Sequence, residues 1–433
     1  MSREMVNSGI PWIGDIPLNW GVCKVKDAFI RKNEKAFQEN PIVLSLARAG
    51  VKIRDISTNE GQLASSYNEY NPVEPFDLLI NPMDLYSGAN CSVSLVSGVI
   101  SPAYINLKAK DNASPQYYDY YFKTQYWSMA FFAHGKGISF DNRWTLGVDT
   151  LFRYNIPYPT LVEQQKIASF LDKKCAEIDE MITLQEKIIE ELKAYKQSVI
   201  TEAVTKGLNP NVPMKESGIE WIGQIPAHWE VEPLKYNFKR RSEKNNPIIT
   251  TERLSLSIGK GVTLYSEKTT NLDRFKEDFT QYQLAYPNDI VLNCMNMIVG
   301  AVGLSRYLGC VSPVYYVIYS SKQSIVAEYY SYLLNIPTIR GVYYSFGKGI
   351  YAIERGEGRV NTCRLKVSYE DFGRFDIPIP PSEEQKNIVR YISDKCTEID
   401  NLISIKQQKI EHLKEYKKSI IYEYVTGKKE VED

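Results

Sequence analysis

Residues 8–20, SGIPWIGDIPLNW, return at residues 217–229 as SGIEWIGQIPAHW. The two stretches share a Trp-Ile-Gly triplet and a closing tryptophan, so that Trp12 and Trp20 match Trp221 and Trp229. Self-similarity of this kind is the sequence signature of an internal repeat. The chain is therefore a tandem duplication, and its fold is expected to be one unit built twice.

A second repeated box lies towards the end of each half. EQQKIASFLDKKCAEIDEMI (163–182) returns as EQKNIVRYISDKCTEIDNLI (384–403). Between the boxes only islands match, among them Asp77 with Asp289 and Gly-Lys-Gly at 135–137 with Gly-Lys-Gly at 347–349. Copies that share a framework but differ in their surfaces are expected to contact two ligands, or two halves of one. A duplicated scaffold whose loops have drifted without constraint remains the alternative.

Length and composition limit the class of protein. The 433 residues suffice for two globular units with connecting elements. The 52 basic and 52 acidic side chains cancel, so any contact with nucleic acid must use local patches. One basic run, KYNFKRRSEK (235–244), is by itself more typical of a solvated loop. Seven cysteines without CxxC pairs argue against a disulfide framework or a structural zinc site.

Two long helices are predicted, from about Glu163 to Val204 and from about Glu384 to Val425, because both stretches lack Gly and Pro and repeat apolar residues at helical spacing. A heptad seam fits each stretch. In the first copy its two positions hold Leu171, Ile178, Gln185, Leu192 and Val199, and Cys175, Ile182, Ile189, Lys196 and Ala203. An antiparallel pair of about 60 Å is expected; packing of each helix on its own domain is the alternative.

The boxes occur in a characteristic order. WIGxIPxxW opens each half, IPxP followed by Glu-Gln opens each helix, and Glu-Ile-Asp, Leu-Lys-x-Tyr-Lys (192–196, 413–417) and Val-Thr follow along it. This set resembles the specificity subunits of type I restriction-modification enzymes, over the whole chain and in duplicate. The stretches between the boxes show no such likeness, as expected for domains that vary within that family.

The resemblance implies an α+β fold with two globular target-recognition domains. These would span residues 1–160 and 208–381, with conserved spacer helices at 161–207 and 382–433 that form an antiparallel coiled coil. Each domain would read one half of a bipartite, asymmetric site in double-stranded DNA. The helices would set the gap between the half-sites and act as a molecular ruler.

The resemblance also implies partners. Two adenine methyltransferase subunits and the restriction-translocase subunits would dock on this chain, and S-adenosylmethionine, ATP and Mg²⁺ would belong to them, with no cofactor here. The chain itself would be non-catalytic. It is expected to be cytoplasmic, since no apolar run is long enough to span a membrane. A non-enzymatic tandem scaffold that binds protein partners is the competing interpretation.

Candidate DNA contacts follow from position. Lys136 and Lys348 lie between glycines, which let a backbone approach a ligand closely, and a lysine there suits a phosphate or a guanine edge. Arg143, Arg355 and Arg359 lie just downstream, and arginine reads guanine in a bidentate manner. The alternatives are a hairpin turn with an exposed lysine, and structural ion pairs of the arginines.

No catalytic or metal site is expected. Asn81-Pro82-Met83-Asp84 lacks the second proline and the aromatic residue of an amino-methyltransferase motif. Gly-Lys-Gly lacks the upstream glycine and the Ser/Thr of a phosphate-binding loop. The three histidines, at 134, 228 and 412, do not match between the two halves and are too far apart in the sequence to indicate a metal site or a catalytic nucleophile.

Overall fold

The structure is a computed structural model of the chain, and it divides into two compact units. Unit 1 comprises Met1–Glu186 with Gln407–Asp433, and unit 2 comprises Lys187–Lys406. The described residues are 3–38, 40–56, 64, 66–83, 85–87, 90–138, 144–268, 278–350, 354–355, 359–360 and 364–432, with backbone alone between 349 and 365. The predicted domain and spacer boundaries stay predictions.

The globular part of unit 1 contains twelve strands and four helices among its described residues. The strands are β1 (Met5–Asn7), β2 (Asp15–Pro17), β3 (Gly21–Lys24), β4 (Phe29–Lys32), β5 (Leu44–Ala47), β6 (Gly50–Ile53), β7 (Asn71–Val73), β8 (Leu78–Ile80), β9 (Cys91–Val93), β10 (Gly98–Ile100), β11 (Ile105–Ala109) and β12 (Asn155–Tyr158). The helices are α1 (Val25–Ala28), α2 (Pro115–Trp127), α3 (Ala130–Ala133) and α4 (Val148–Arg153).

Two long helices, α5 (Leu161–Lys206) and α10 (Ser382–Val425), follow the globular parts. Unit 2 contains β13 (Met214–Glu216), β14 (Gln224–Pro226), β15 (Glu230–Pro233), β16 (Lys239–Arg240), β17 (Leu254–Ser257), β18 (Gly261–Leu264), β19 (Gln283–Ala285), β20 (Ile290–Asn293), β21 (Val302–Leu304), β22 (Gly309–Val311), β23 (Tyr315–Tyr319), β24 (Lys348–Ile350), β25 (Glu354–Arg355), β26 (Arg359–Val360), β27 (Arg364–Lys366) and β28 (Asp376–Ile379). Its short helices are α6 (Leu234–Asn237), α7 (Ala327–Leu333), α8 (Pro337–Phe346) and α9 (Tyr369–Gly373).

Both units have the same antiparallel four-stranded sheet at their centre. The strand order is β4-β11-β8-β9 in unit 1 and β16-β23-β20-β21 in unit 2. A helix rich in tyrosine covers one face of each sheet, with Tyr117 and Tyr118 on α2 and Tyr329 and Tyr330 on α7 fully buried. The predicted mixture of helix and sheet with two long helices is confirmed.

The chain enters and leaves the globular part of each unit side by side. In unit 1, β3 pairs with β12, and the amide of Val25 donates to the carbonyl of Tyr154 at 3.0 Å. In unit 2, β15 pairs with β28, and Leu234 donates to Phe375 at 2.8 Å. Each pair of strands closes its domain next to the start of a long helix.

The start of each long helix is tied to the globular part by a buried glutamine. Gln164 accepts from the amide of Ser114 at 2.8 Å and donates to the carbonyl of Pro159 at 2.9 Å. Gln385 repeats this arrangement with Val326 and Pro380. The glutamine of the Glu-Gln box therefore attaches the start of the helix to the domain.

A tyrosine hydroxyl binds the last turn of each long helix, and this tyrosine belongs to the same unit as that last turn. Tyr117 donates to the carbonyl of Val425 at 2.8 Å in unit 1, and Tyr329 donates to Val204 at 2.7 Å in unit 2. Gly427 follows with φ +71°, and a Cβ there would lie 2.4 Å from Pro17. Only glycine allows this left-handed turn against the domain.

Each unit contains two antiparallel segments of the long helices. In unit 1, Lys417 of α10 pairs with Asp179 of α5 at 2.7 Å, and Tyr424 packs on Phe170 with ring centroids 4.4 Å apart. In unit 2, Lys196 of α5 pairs with Asp400 of α10 at 2.7 Å. The lysine that ends each Leu-Lys-x-Tyr-Lys box thus binds the aspartate of the other helix's Glu-Ile-Asp box.

The residues assigned to the heptad seam are all buried or half-buried in both helices. In α10 these are Ile392, Ile399, Lys406, Leu413 and Ile420, and Cys396, Ile403, Ile410, Lys417 and Tyr424. Polar residues on a seam favour one register over others, at a cost in stability. Within the described residues, no helix is both long and apolar enough to cross a membrane.

The reciprocal ion pairs lead to a prediction about register. Lys196→Glu places a second negative charge beside Asp400. Because the side chain of Asp400 is 58% exposed, we expect a loss of only about 0.2–1 kcal/mol in the free energy of unfolding. The double variant Lys196→Glu with Asp400→Lys restores an attractive pair and recovers most of it. A urea double-mutant cycle measures this coupling, and additive effects of the two changes would contradict the prediction.

Candidate nucleic-acid interface

The Gly-Lys-Gly segment of unit 1 is clamped by aromatic side chains. Lys136 is exposed, and its backbone exchanges two hydrogen bonds of 2.9 Å with Thr145. A Cβ on Gly135 would lie 2.6 Å from the indole nitrogen of Trp144, which itself donates to the carbonyl of Phe132 at 2.8 Å. Glycine is therefore required for close packing here, and the lysine projects from a fixed backbone.

The segment also contacts the first repeated box. Trp12 packs edge-on against His134, with ring centroids 4.7 Å apart, and stacks on Tyr154 at 4.8 Å. The Trp-Ile-Gly triplet thereby supports the residues that precede Lys136. Arg143, the other candidate in this unit, lies outside the described residues.

The Gly-Lys-Gly segment of unit 2 has a different local structure. Lys348 is exposed and begins β24, where it is the direct partner of Lys366 on β27. Between these strands, β25 and β26 form a further pair in which Arg355 and Arg359 are direct partners. The backbone brings these two arginines together; their side chains are outside the described part. All five predicted contacts with DNA stay predictions.

A second arrangement of charges occurs at matched positions of both sheets. On β4 the residues Arg31-Lys32 correspond to Arg240-Arg241 around β16. The second member of each pair is neutralised: Lys32 binds Asp77 at 2.8 Å, and Arg241 binds Asp289 in a bidentate manner at 2.7 and 3.0 Å. These aspartates are the matched island residues of the two halves.

The electrostatics of the neutralised pairs are those of structural salt bridges. Hydrogen bonding to Asp289 raises the pKa of Arg241, and this effect exceeds the opposing effect of burial. The guanidinium also lies 4.4 Å from the ring centroids of both Tyr286 and Tyr319. Burial lowers the pKa of Lys32, but its hydrogen bonds to Asp77 and Glu74 raise it overall.

The first member of each pair is not neutralised by the described side chains. Arg31 and Arg240 are exposed, and no described carboxylate forms an ion pair with either. Arg240 lies 5.0 Å above the ring of Tyr316 and 5.4 Å above that of Tyr369. These stacking contacts hold the guanidinium at the surface of unit 2.

Lys348 and Lys366 belong to the same surface. The hydroxyl of Tyr316 donates to the carbonyl of Val367 at 2.9 Å, which ties the support of Arg240 to the residue after Lys366. Burial raises the pKa of the nearby Cys294 thiol above its ordinary value. The positive charges of Lys366 and Arg240 both act on this thiol and oppose that increase. We define the basic patch of unit 2 as Arg240, Lys348 and Lys366.

No group of three or more His, Cys, Asp or Glu side chains among the described residues is arranged to hold a metal ion. The six described cysteines, at 23, 91, 175, 294, 310 and 396, are free. Burial, aided by the charge of Asp27, raises the pKa of Cys23 to about 12, so this thiol stays protonated at neutral pH.

Comparison with known proteins shows which proteins the chain is similar to. The sequence model of the type I restriction modification DNA specificity domain matches residues 96–194. The chain is 28% identical over 293 residues to the putative type I restriction enzyme MjaX specificity subunit of Methanocaldococcus jannaschii, covering 66% of this chain and 62% of that protein. It is 25% identical to the type I restriction enzyme MjaVIII specificity subunit of the same organism, covering 81% and 80%.

Two solved structures share the fold. One chain, from a study of complex assembly and conformational transition of the type I R-M system, has a TM-score of 0.65 and 14% identity over 96% of this chain and 99% of its own length. The HsdS subunit from Thermoanaerobacter tengcongensis has a TM-score of 0.54 and 14% identity, covering 96% and 98%. The alignment with the MjaX specificity subunit spans 62% of that protein, which is less than two thirds of its length. The resemblance drawn from the repeated boxes is confirmed.

Proposed function

Because the chain is a relative of the specificity subunits of type I restriction-modification enzymes, we propose that it is the sequence-specific DNA-binding subunit of such a complex. Each unit reads one half of a bipartite, asymmetric site in double-stranded DNA. The observation that carries this proposal is the duplication of one scaffold with two different surfaces. The central sheets, closing strands and helix fastenings match, whereas the Gly-Lys-Gly segment forms a single described bridge, Lys136–Thr145, in unit 1 and belongs to the paired strands β24–β27 in unit 2.

The helices α5 and α10 form the antiparallel coiled coil that sets the gap between the two half-sites. The reciprocal lysine–aspartate pairs support one register, because any shift along the seam separates them. Seven residues of helix add about 10.5 Å of length. Lengthening both helices by one heptad is expected to change the gap and leave the recognised bases unchanged.

The same helices dock the methyltransferase, in two copies, and the restriction-translocase subunits. Exposed apolar residues occur at matched positions of the two helices: Met181 and Leu184 on α5, and Leu402 and Ile405 on α10. Their exposed fractions run from 41% to 57%, so each helix has two large apolar side chains at the surface in addition to its buried seam. A repeated apolar surface suits a partner present in two copies.

Chemistry belongs to the partners in this proposal. The chain itself is non-catalytic and works in the cytoplasm, where the DNA is. S-adenosylmethionine, ATP and Mg²⁺ are bound by the methyltransferase and translocase subunits, with no cofactor held here. The role of this chain is to position the methyltransferase on a defined sequence.

The test is sequencing of N6-methyladenine in genomic DNA from cells that carry the partner methyltransferase, with and without this gene. A split motif methylated only when the gene is present supports the proposal and gives both half-sites with their gap. A catalytically inactive methyltransferase serves as the control for background modification. Identical methylation with and without the gene, in the presence of active methyltransferase, rules the proposal out.

A further inference from the structure

The basic patch of unit 2 places three cations together, and none of them has an ion-pair partner among the described carboxylates. Lys348 and Lys366 are direct partners on antiparallel strands, a position in which like charges repel. No described carboxylate forms an ion pair with either lysine or with Arg240. Three neighbouring cations without a described ion-pair partner, on a chain of zero net charge, suit an external anion.

Arg240 is held in place for such a contact. Its guanidinium packs over Tyr316 and Tyr369, and Tyr316 is itself fixed by burial and by its hydrogen bond to Val367. A planar guanidinium that stacks on aromatic rings keeps its N–H groups free at the edge. Less side-chain entropy is then lost when the group binds an anion.

The repeat gives an independent indication. Arg31 occupies the position of Arg240 on the equivalent strand of unit 1, opposite Leu107 as Arg240 is opposite Ile318. In both units the next residue is bound by a buried aspartate, whereas the arginine is exposed and has no described carboxylate partner. The framework therefore has, at one matched position, an exposed arginine without a described carboxylate partner, while the neighbouring charge is neutralised.

We propose that Arg31 in unit 1 and Arg240 in unit 2 bind phosphates of the DNA backbone, with Lys348 and Lys366 contacting adjacent phosphates in unit 2. This inference rests on the proposed function and names contacts that do not depend on the bases. Phosphate contacts fix the position of a protein on the duplex, while the divergent segments remain for reading sequence.

The test measures binding of the full-length chain to a random-sequence duplex as a function of salt. Each phosphate contact contributes about 0.9 to the slope of log K against log salt concentration. Arg240→Gln and Arg31→Gln should each reduce the magnitude of this slope by about one. Arg240→Lys should retain it, and thermal unfolding of each variant checks that the fold is intact.

Arg306→Gln is the matched control, because it removes the same charge from an exposed arginine of unit 2 that already binds Glu328 at 2.8 Å. Its slope should equal that of the unaltered chain. An unchanged slope for Arg240→Gln and Arg31→Gln overturns the inference, as does failure of the unaltered chain to bind the duplex at low salt. Altered bases in the methylated motif with an unchanged slope would make these residues base readers. The inference would then fail while the proposed function holds.

Discussion

Replacing residues 25–154 with the corresponding domain of a type I specificity subunit is expected, on the proposed function, to change one half of the methylated motif and leave the other half intact. The structure explains why this exchange is feasible. Val25 and Tyr154 are joined by a backbone hydrogen bond of 3.0 Å, so the two cut points are neighbours at the end of the β3–β12 pair. A foreign domain with the same closing strands has its ends at the right separation.

The effect should be complete for one half-site, since all divergent loops of unit 1 lie inside the exchanged segment. The donor must retain a tyrosine-bearing helix such as α2, because Tyr117 holds the last turn of α10. Sequencing of N6-methyladenine in cells with the partner methyltransferase gives the result. Exchange of residues 234–375, between the matched cut points of unit 2, is the reciprocal experiment. Changes in both half-sites after either exchange would contradict independent reading by the two units.

Asp289→Ala is expected to destabilise unit 2 by about 3 kcal/mol, among the largest effects of a single substitution in this chain. The aspartate is 3% exposed and binds Arg241 with both carboxylate oxygens, while Arg241 is 19% exposed between two tyrosines. Without the carboxylate, the partly buried guanidinium keeps only the half-exposed carboxylate of Glu243, at 3.6 Å. Asp289 also accepts from the amide of Tyr286 at 2.8 Å, and this hydrogen bond is lost as well.

Two variants separate the ion pair from other contributions. Asp289→Leu combined with Arg241→Leu removes both charges and should recover much of the stability, because an apolar pair leaves no buried charge unpaired. Asp77→Ala in unit 1 should cost less, since Lys32 keeps a hydrogen bond of 3.0 Å to Glu74, whereas the remaining partner of Arg241, Glu243, lies 3.6 Å away. Urea unfolding, with hydrogen exchange of the β16, β20 and β23 peptides, measures the loss. A change below 1 kcal/mol for Asp289→Ala would contradict the prediction.

The long helices could be predicted almost to their ends from the sequence. The absence of Gly and Pro and the regular apolar spacing determine α5 and α10, and the seam residues are buried or half-buried as their spacing indicates. The reciprocal partners of Lys196 and Lys417 could not be deduced, because spacing along one helix does not determine which residue of the other lies opposite. The recurrence of both boxes was the available signal.

The Gly-Lys-Gly segments show where sequence similarity is insufficient. The same tripeptide lies in a single bridge clamped by Trp144 in unit 1, whereas its lysine begins a strand in unit 2. The difference comes from the segment that follows the tripeptide. This segment is longer in the second half of the chain, where it forms paired strands. A local motif does not fix its own environment.

The basic run at 235–244 shows a second limit. Composition alone does not distinguish a cation that is buried in an ion pair from one that is exposed. This run contains one of each at consecutive positions. Arg241 is neutralised by an aspartate 48 residues away, whereas Arg240 stacks on tyrosines from β23 and α9. The match of Asp77 with Asp289 was a signal for the structural pair. For the exposed arginine, the only signal was its recurrence as Arg31.

The composition of unit 1 has a consequence for the biosynthesis of the protein. Its core includes Ile421 and Val425, which lie near the end of α10 and are added by the ribosome after the whole of unit 2. The apolar positions Leu171 and Cys175 belong to the same cluster. While unit 2 is being translated, unit 1 lacks part of its own interior. Folding of unit 1 in order of synthesis is thus incomplete until the C-terminal part of α10 emerges, and a stop codon just before residue 421 would damage unit 1 as well as α10.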